Sequence, residues 1–193
     1  MRTNSVVIVV GKRGTGKTDF CKHLIDGSPM KKKLIVDTFD SPVWRTLETY
    51  KNPNGQFTPV PIMAIEQLPY WKSGLYRLFS NDPDFLFEQI DKHISNCLIA
   101  FEDSTKYFKG RLQEPVRRLM YDSKQKNLNM IFFFHSLAAV PPELVRIADY
   151  LTLFKTNDSA PNLNKYPFPN ILPAMEFVKA SNNRFENVTL ELN

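Results

Sequence analysis

A single α/β domain with a mainly parallel sheet between helices is what this 193-residue sequence predicts. Three observations predict it. Short apolar runs alternate along the chain with stretches of helical periodicity. The stretch 5–10 carries an unbroken β-branched run, Val6 to Val10, the pattern of a strand covered on both faces, and 97–101 and 129–134 are further apolar strands. The length suits one domain with a substantial core, whereas two full domains would be cramped.

Taken in order, Ser5 to Val10 is a β-branched strand. Gly16 to about Asp26 reads as a helix, with Phe20, Cys21, Leu24 and Ile25 at helical spacing and Gly27 as its stop. "KLIVDT", from Lys33 to Thr38, is a second strand. Residues 51–62 hold three prolines and an Asn-Gly pair, which predicts a loop. "YWKSGLYRLF", residues 70–79, reads first as an amphipathic helix with its aromatics in the core. The other reading of that segment is a nucleic-acid grip, with Trp71, Tyr76 and Phe79 interleaved with Lys72 and Arg77. Pro83 to Ser95 predicts a helix facing inward with Phe85, Leu86, Gln89, Ile90 and Ile94, and Asn96 to Phe101 the strand that follows it. Pro115 fits the first turn of a helix whose inner face is Val116, Leu119 and Met120. "NMIFFF" is a strand, Pro141-Pro142 opens a short helix, and "DYLTLFK" is a strand at 149–155. Residues 157–173 look irregular, and the final "RFENVTLEL" alternates like an edge strand. The organisation is therefore a core over 1–156, with an insertion at about 40–80, and a C-terminal extension of the same domain over 157–193.

Composition narrows the class. Apolar residues make up 42% and charged residues 23%, ordinary for a globular protein in water. No run approaches the roughly 20 apolar residues of a membrane span, and no signal-peptide pattern opens the chain. Cys21 and Cys97 fall inside a helix and a strand, so reduced, buried thiols and a cytoplasmic location are expected. The net charge of +5 permits a polyanionic partner without requiring one.

The chemistry begins at "GKRGTGKTD", Gly11, Lys12, Arg13, Gly14, Thr15, Gly16, Lys17, Thr18 and Asp19. Gly11, four residues, then Gly16-Lys17-Thr18 between a strand and a helix is the phosphate-binding loop of the P-loop NTPases. Glycines let backbone N–H groups turn toward phosphate oxygens, and the helix N-terminus adds partial positive charge. Lys17 should reach the β- and γ-phosphates of ATP, while the Thr18 hydroxyl ligates Mg2+. Hydrolysis needs a second acidic element, which "CLIAFEDS" supplies. Glu102, at the strand end, takes the metal role with Thr18, and Asp103 the role of base toward water. In sheets of this kind, with RecA-like (ASCE) strand order, another strand lies between the phosphate strand and the acidic strand. "NMIFFFHS" would be that strand, which puts His135 near the γ-phosphate. The expected catalytic set is Lys17, Glu102, Asp103 and His135.

Together, "GKRGTGKT", "LIAFEDSTKYF" and "KQKNLNMIFFFHSLAAVPPELVRIADY" resemble the FtsK–HerA superfamily of DNA-pumping ATPases. The likeness runs over residues 5–155 and is nearest to compact viral genome-packaging ATPases and to Zot-like ATPases of filamentous phages. Tyr107 and Phe108, the basic Lys124, and Val140 to Asp149 occupy places that carry similar residues in that family. Glu-Asp stands for its usual Asp-Glu, His135 for a glutamine and Lys124 for an arginine. The Zot-like proteins carry a membrane segment that this sequence lacks, which favours the packaging type. The resemblance implies a homo-oligomeric ring, commonly a hexamer, with nucleotide between subunits and DNA in the channel. It also implies a capsid or portal-type partner and an arginine supplied in trans, for which Arg111, Arg117, Arg118 and Arg146 are the candidates and Arg117-Arg118 the favoured pair.

Three other classes would leave different marks on the sequence. A small-molecule or nucleotide kinase would want an arginine-rich lid late in the chain, where only Lys155, Lys165, Lys179 and Arg184 stand. A GTP switch needs Asn-Lys-x-Asp, but Asn164-Lys165 is followed by Tyr166-Pro167. A nucleotide-binding assembly protein that does not hydrolyse would keep the loop without using Asp103.

Overall fold

Val6–Val10 forms β1, and every one of its side chains is buried. Val6, Ile8 and Val10 point into one core while Val7 and Val9 point into another, the two-residue period of a strand with layers on both sides. A computed structural model describes residues 4–37, 41–45, 50–51, 54–108 and 112–192.

Along the chain, β1 is followed by α1 (Lys17–Gly27), β2 (Lys32–Val36), the one-turn α2 (Pro42–Arg45), β3 (Tyr50–Lys51) and β4 (Phe57–Thr58). A 3-10 turn at Ile65–Tyr70 leads to β5 (Gly74–Leu78), α3 (Pro83–His93) and β6 (Cys97–Phe101). A second 3-10 turn, Ser104–Lys106, precedes α4 (Glu114–Tyr121), β7 (Leu128–Phe134), α5 (Pro142–Ile147), β8 (Tyr150–Phe154), α6 (Ile171–Ala180) and β9 (Asn187–Glu191). Seven strands make one sheet in the order β5-β2-β6-β7-β1-β8-β9. All neighbours are parallel except β8 and β9. β7 lies between β1 and β6, the strand order expected for the phosphate and acidic strands.

α1 and Trp44 of α2 cover one face of the sheet, packing Cys21, Ile25 and Trp44 on Val7, Val9, Ile35 and Phe133. The other face carries α3, α4, α5 and α6 over a larger core. Phe101 and Phe132 stack there at 4.6 Å between centroids, and Phe87 packs on Phe101, Tyr107 and Phe108. Tyr107 and Phe108, the aromatic pair after the acids, are thus core residues. The thiols of Cys21 and Cys97 are free and buried, and burial pushes both well up from the ordinary thiol range.

Several expectations are corrected. Residues 70–79 are not a helix: Gly74–Leu78 is an edge strand paired with β2. Arg77, offered as part of a nucleic-acid grip, is buried against the equally buried Asp37 at 3.2 Å, so its charge is carried inside the sheet. The supposed loop at 51–62 contains part of a small antiparallel ladder, Tyr50–Lys51 with Phe57–Thr58, around the Asn54-Gly55 turn. Phe85 is exposed, and Phe87 takes the inward place beside Leu86 and Ile90, packed on Phe101, Tyr107 and Phe108. The helix at Ile171–Ala180 was not foreseen, whereas the closing edge strand is present as β9. Thr38 and Arg111 lie outside the described residues.

Candidate active site

The phosphate loop leaves β1 at the carboxyl end of the parallel strands, where ligands of open α/β sheets bind. It is tied down on both sides: Gly11 N–H donates to the Phe134 carbonyl of β7 at 3.1 Å, and Lys12 N–H to Lys155 just past β8 at 2.8 Å. Gly14 and Gly16 have φ of 79° and 91°, the left-handed region that glycine enters without a steric cost. Gly11 is demanded by space instead. A Cβ there would come within 2.6 Å of Phe154 Cβ. Gly16 starts α1 without a capping side chain, so the first amides of the helix are left for an anion. Lys17 Nζ donates to the carbonyls of Gly11 at 2.5 Å and Lys12 at 3.1 Å. Burial lowers its pKa to about 8, with the charges of Asp103 and Glu102 opposing that shift. Bringing negatively charged oxygens to this ammonium removes that penalty.

Glu102 and Asp103 follow β6 and part company at once. Glu102 turns toward α1: one carboxylate oxygen accepts from the Thr18 hydroxyl at 3.3 Å and the other from the Trp44 indole N–H. Burial, with the neighbouring Asp37 charge, raises the Glu102 pKa to about 7 against the hydrogen bonds that favour its ionised form. Asp103 adopts a left-handed backbone with φ of 50°, which swings its carboxylate the other way. There it pairs with Lys106 at 2.9 Å and meets His135 Nε2 at 3.4 Å.

His135, at the tip of β7, stands between Lys17 and Asp103, its Nδ1 lying 3.5 Å from Lys17 Nζ. Burial and then the Lys17 charge lower its pKa, so the ring is neutral at pH 7. The tautomer that suits both neighbours carries its proton on Nε2, donating toward Asp103 and accepting from Lys17. β7 separates β1 from β6, and this alone brings the three side chains together.

A cavity of about 520 Å³ opens over the loop. Of the expected residues, Arg13, Gly14, Gly16, Lys17, Thr18, Asp19, Glu102, Asp103 and His135 line it, and Gly11, Lys12 and Thr15 do not. Arg117 and Arg118 do not. Arg117 is held by Glu143 of α5 and by Glu114, and Arg118 by Asp91 of α3. Arg146 and Lys124 line a separate hollow at the amino end of β1. Trp71 and Tyr76, offered as a nucleic-acid grip, stack edge-to-face on each other. Lys32 lies 5.5 Å over the Trp71 ring, and Lys31, Lys32, Trp71 and Lys72 share one groove at the amino ends of the strands.

Among the residues missed, Asp37, Arg184 and Phe185 line the cavity, and Trp44 stands behind it, bonded to Glu102. Asp37 ends β2 as Glu102 ends β6, so the same strand-then-acid signal would have found it. Trp44, against Glu102, and Arg184 and Phe185, against the loop, carry no local signal. Arg184 donates to the Gly14 carbonyl at 2.9 and 2.5 Å across 170 residues of chain.

No family model matches this chain, and no curated protein matches it. Solved structures do. The genome packaging NTPase B204 from Sulfolobus turreted icosahedral virus 2, in complex with ATP-gammaS, is 14% identical with a TM-score of 0.72, over 100% of this chain and 94% of that chain. The N-terminal domain of zonular occludens toxin from Neisseria meningitidis is 11% identical with a TM-score of 0.51, over 82% of this chain and 81% of that chain. EssC (ATPases 2 and 3) from Geobacillus thermodenitrificans is 11% identical with a TM-score of 0.56, over 98% of this chain and 38% of that chain. At these identities the likeness is one of fold: a single α/β domain of the P-loop NTPase kind. No helix among the described residues is long and apolar enough to cross a membrane.

Proposed function

We propose, from a fold shared with a viral packaging NTPase and related ATPases, that this chain hydrolyses ATP and couples the cycle to the movement of DNA. The observation that carries hydrolysis is His135 standing between Lys17 and Asp103 on a strand inserted between β1 and β6. In this reading the triphosphate lies along residues 11–18, its oxygens met by the free amides of the helix start and by Lys17. Thr18 and Glu102 place a hydroxyl and a carboxylate 3.3 Å apart, an oxygen pair that fits Mg2+, which draws its remaining ligands from phosphates and water. Among the described residues no cluster of three His, Cys, Asp or Glu would hold a metal without a nucleotide. When bound, the ion neutralises charge on the phosphates. Asp103 takes the proton of the water that attacks the γ-phosphorus as the bond to the bridging oxygen breaks, and His135 hydrogen-bonds the γ-phosphate or that water.

The motor works in this proposal as a homo-oligomeric ring in the packaging of a viral or mobile-element genome, in the host cytoplasm, docked on a capsid or portal-type protein. Arg117 or Arg118 serves a neighbouring site by exchanging its present carboxylate partner for a γ-phosphate. The groove of Lys31, Lys32, Trp71 and Lys72 offers the DNA both charge and an aromatic face.

ATP turnover measured with and without DNA tests the coupling. DNA will raise turnover several-fold at low salt, and the gain will shrink as salt rises. The paired change Lys31→Glu and Lys72→Glu will remove the gain and keep basal turnover. Turnover indifferent to both single- and double-stranded DNA would sink the motor reading and leave an ATPase.

His135 has its own expectation. His135→Ala will leave ATP affinity within a few-fold and slow hydrolysis by about 10²-fold, the scale of one lost transition-state donor. DNA stimulation will fall further than basal turnover, and His135→Gln will restore much of both. Normal phosphate release from both variants would make His135 a structural residue.

A further inference from the structure

Phosphate chemistry gives no task to Arg184 and Phe185, which line the cavity from the turn between α6 and β9. We propose that Phe185 is the platform on which the base of the bound nucleoside triphosphate stacks, held over the phosphate loop by Arg184. The proposal rests on reading residues 11–18 as the triphosphate site.

Direction is the first argument. Lys17, Asp103 and His135 mark the γ-phosphate end, and they lie toward β6 and β7, on one side of β1. The nucleoside end must therefore leave on the other side, past Gly16 and Asp19 toward β8 and β9. There a second cleft of about 220 Å³ opens, lined by Gly16, Asp19, Phe20, His23, Phe185 and Asn187, with Phe154 beneath. It shares Gly16, Asp19 and Phe185 with the main cavity, so one ligand can span both.

Placement is the second. Phe185 is 52% exposed, yet its ring lies directly on the loop: a Cβ on Gly16 would stand 2.9 Å from Phe185 Cδ1. The Arg184 guanidinium sits over the same ring at 5.0 Å while donating to the Gly14 carbonyl. Ring, guanidinium and loop thus form one assembly.

Rigidity is the third. The Asn183 side chain accepts from Phe185 N–H at 3.0 Å, Ser181 Oγ accepts from Asn183 N–H at 3.1 Å and donates to Glu186 at 3.2 Å, and the Asn187 amide donates to the Phe185 carbonyl at 3.2 Å. β9 then pairs with β8 from Asn187 opposite Phe154. These bonds hold the backbone of the turn, and the contacts with Gly16 and Arg184 hold the ring, so part of the ordering cost is met before any ligand arrives.

Titration calorimetry with Mg2+-ATP and with inorganic tripolyphosphate separates base from phosphates. Phe185→Ala will weaken ATP by about 10- to 100-fold, the effect of removing one aromatic from a base stack, and leave tripolyphosphate unchanged. Phe185→Trp will keep ATP affinity. ATP binding by Phe185→Ala as tight as the parent's, or an equal loss of both ligands, overturns the proposal while the triphosphate site stands. Retention of both ligands by Lys17→Ala overturns the site reading and this proposal with it.

Discussion

Lys17→Ala will cut ATP turnover by about 10³-fold or more and leave the fold intact. The ammonium is the one charge in the loop that reaches its centre, bonded to the carbonyls of Gly11 and Lys12 and within 3.5 Å of His135. Its effect on stability runs in the opposite sense. Burial depresses the folded-state pKa of Lys17 to about 8, below the 10.5 of an ordinary lysine, so the unfolded chain binds the extra proton between those values. The charged form therefore weakens the nucleotide-free fold at neutral pH, and the penalty fades as pH rises from 8 to 10.5. The variant's thermal midpoint without nucleotide will equal or exceed the parent's at pH 7. Phosphate release and a melting curve check both halves. Undiminished turnover in Lys17→Ala would place catalysis elsewhere.

The two acids will separate under substitution. Glu102→Gln will weaken Mg2+-dependent ATP binding as well as turnover, because Glu102 faces Thr18. Asp103→Asn will keep binding and trap unhydrolysed ATP, because its carboxylate faces His135 and Lys106 instead. Swapped effects would give Asp103 the metal and Glu102 the water. A pH signature accompanies the first variant. Glu102 rises from 4.5 to about 7 on folding, so the native state holds a proton that the unfolded chain gives up in that window. The contribution of Glu102 to stability without metal is greatest below pH 4.5 and is lost as pH climbs to 7. The amide of Glu102→Gln still accepts from Trp44 and carries no charge. In chelator at pH 8 it will melt above the parent, with a gain of about 3 kcal/mol at most, and at pH 4.5 the two will melt together.

What the sequence disclosed follows the range of the forces involved. β1, β6 and β7 were legible because burial on both faces forces unbroken apolar runs, and the loop because its glycines and lysine are local demands. Asp103 and His135 were placed through strand order, a property of the fold class rather than of any window. β5 was misread because a buried arginine looks like a surface one until Asp37, 40 residues earlier, is seen beside it. Trp44 reaches Glu102 across 58 residues and Arg184 reaches Gly14 across 170, and no spacing announces either contact. Phe85 and Phe87 differ only in the phase of α3, which is decided by packing on Phe101, Tyr107 and Phe108 rather than by any local spacing.

The position of β1 in the middle of the sheet sets a timetable for the chain's own birth. Its apolar ribbon is synthesised well before its neighbours β7 and β8, with Ser5 bonded to Asn129 across 124 positions. At ribosomal speeds of about 5–20 residues per second, Val6–Val10 waits roughly 6 to 25 s for a partner to emerge. Throughout that interval a five-residue β-branched segment without a charge stands in the nascent chain, the kind that pairs with copies of itself. Only Leu128–Phe134 ends the exposure. Yield during expression therefore hinges on rapid synthesis or chaperone cover between the emergence of β1 and that of β7, well before any nucleotide has a site to bind.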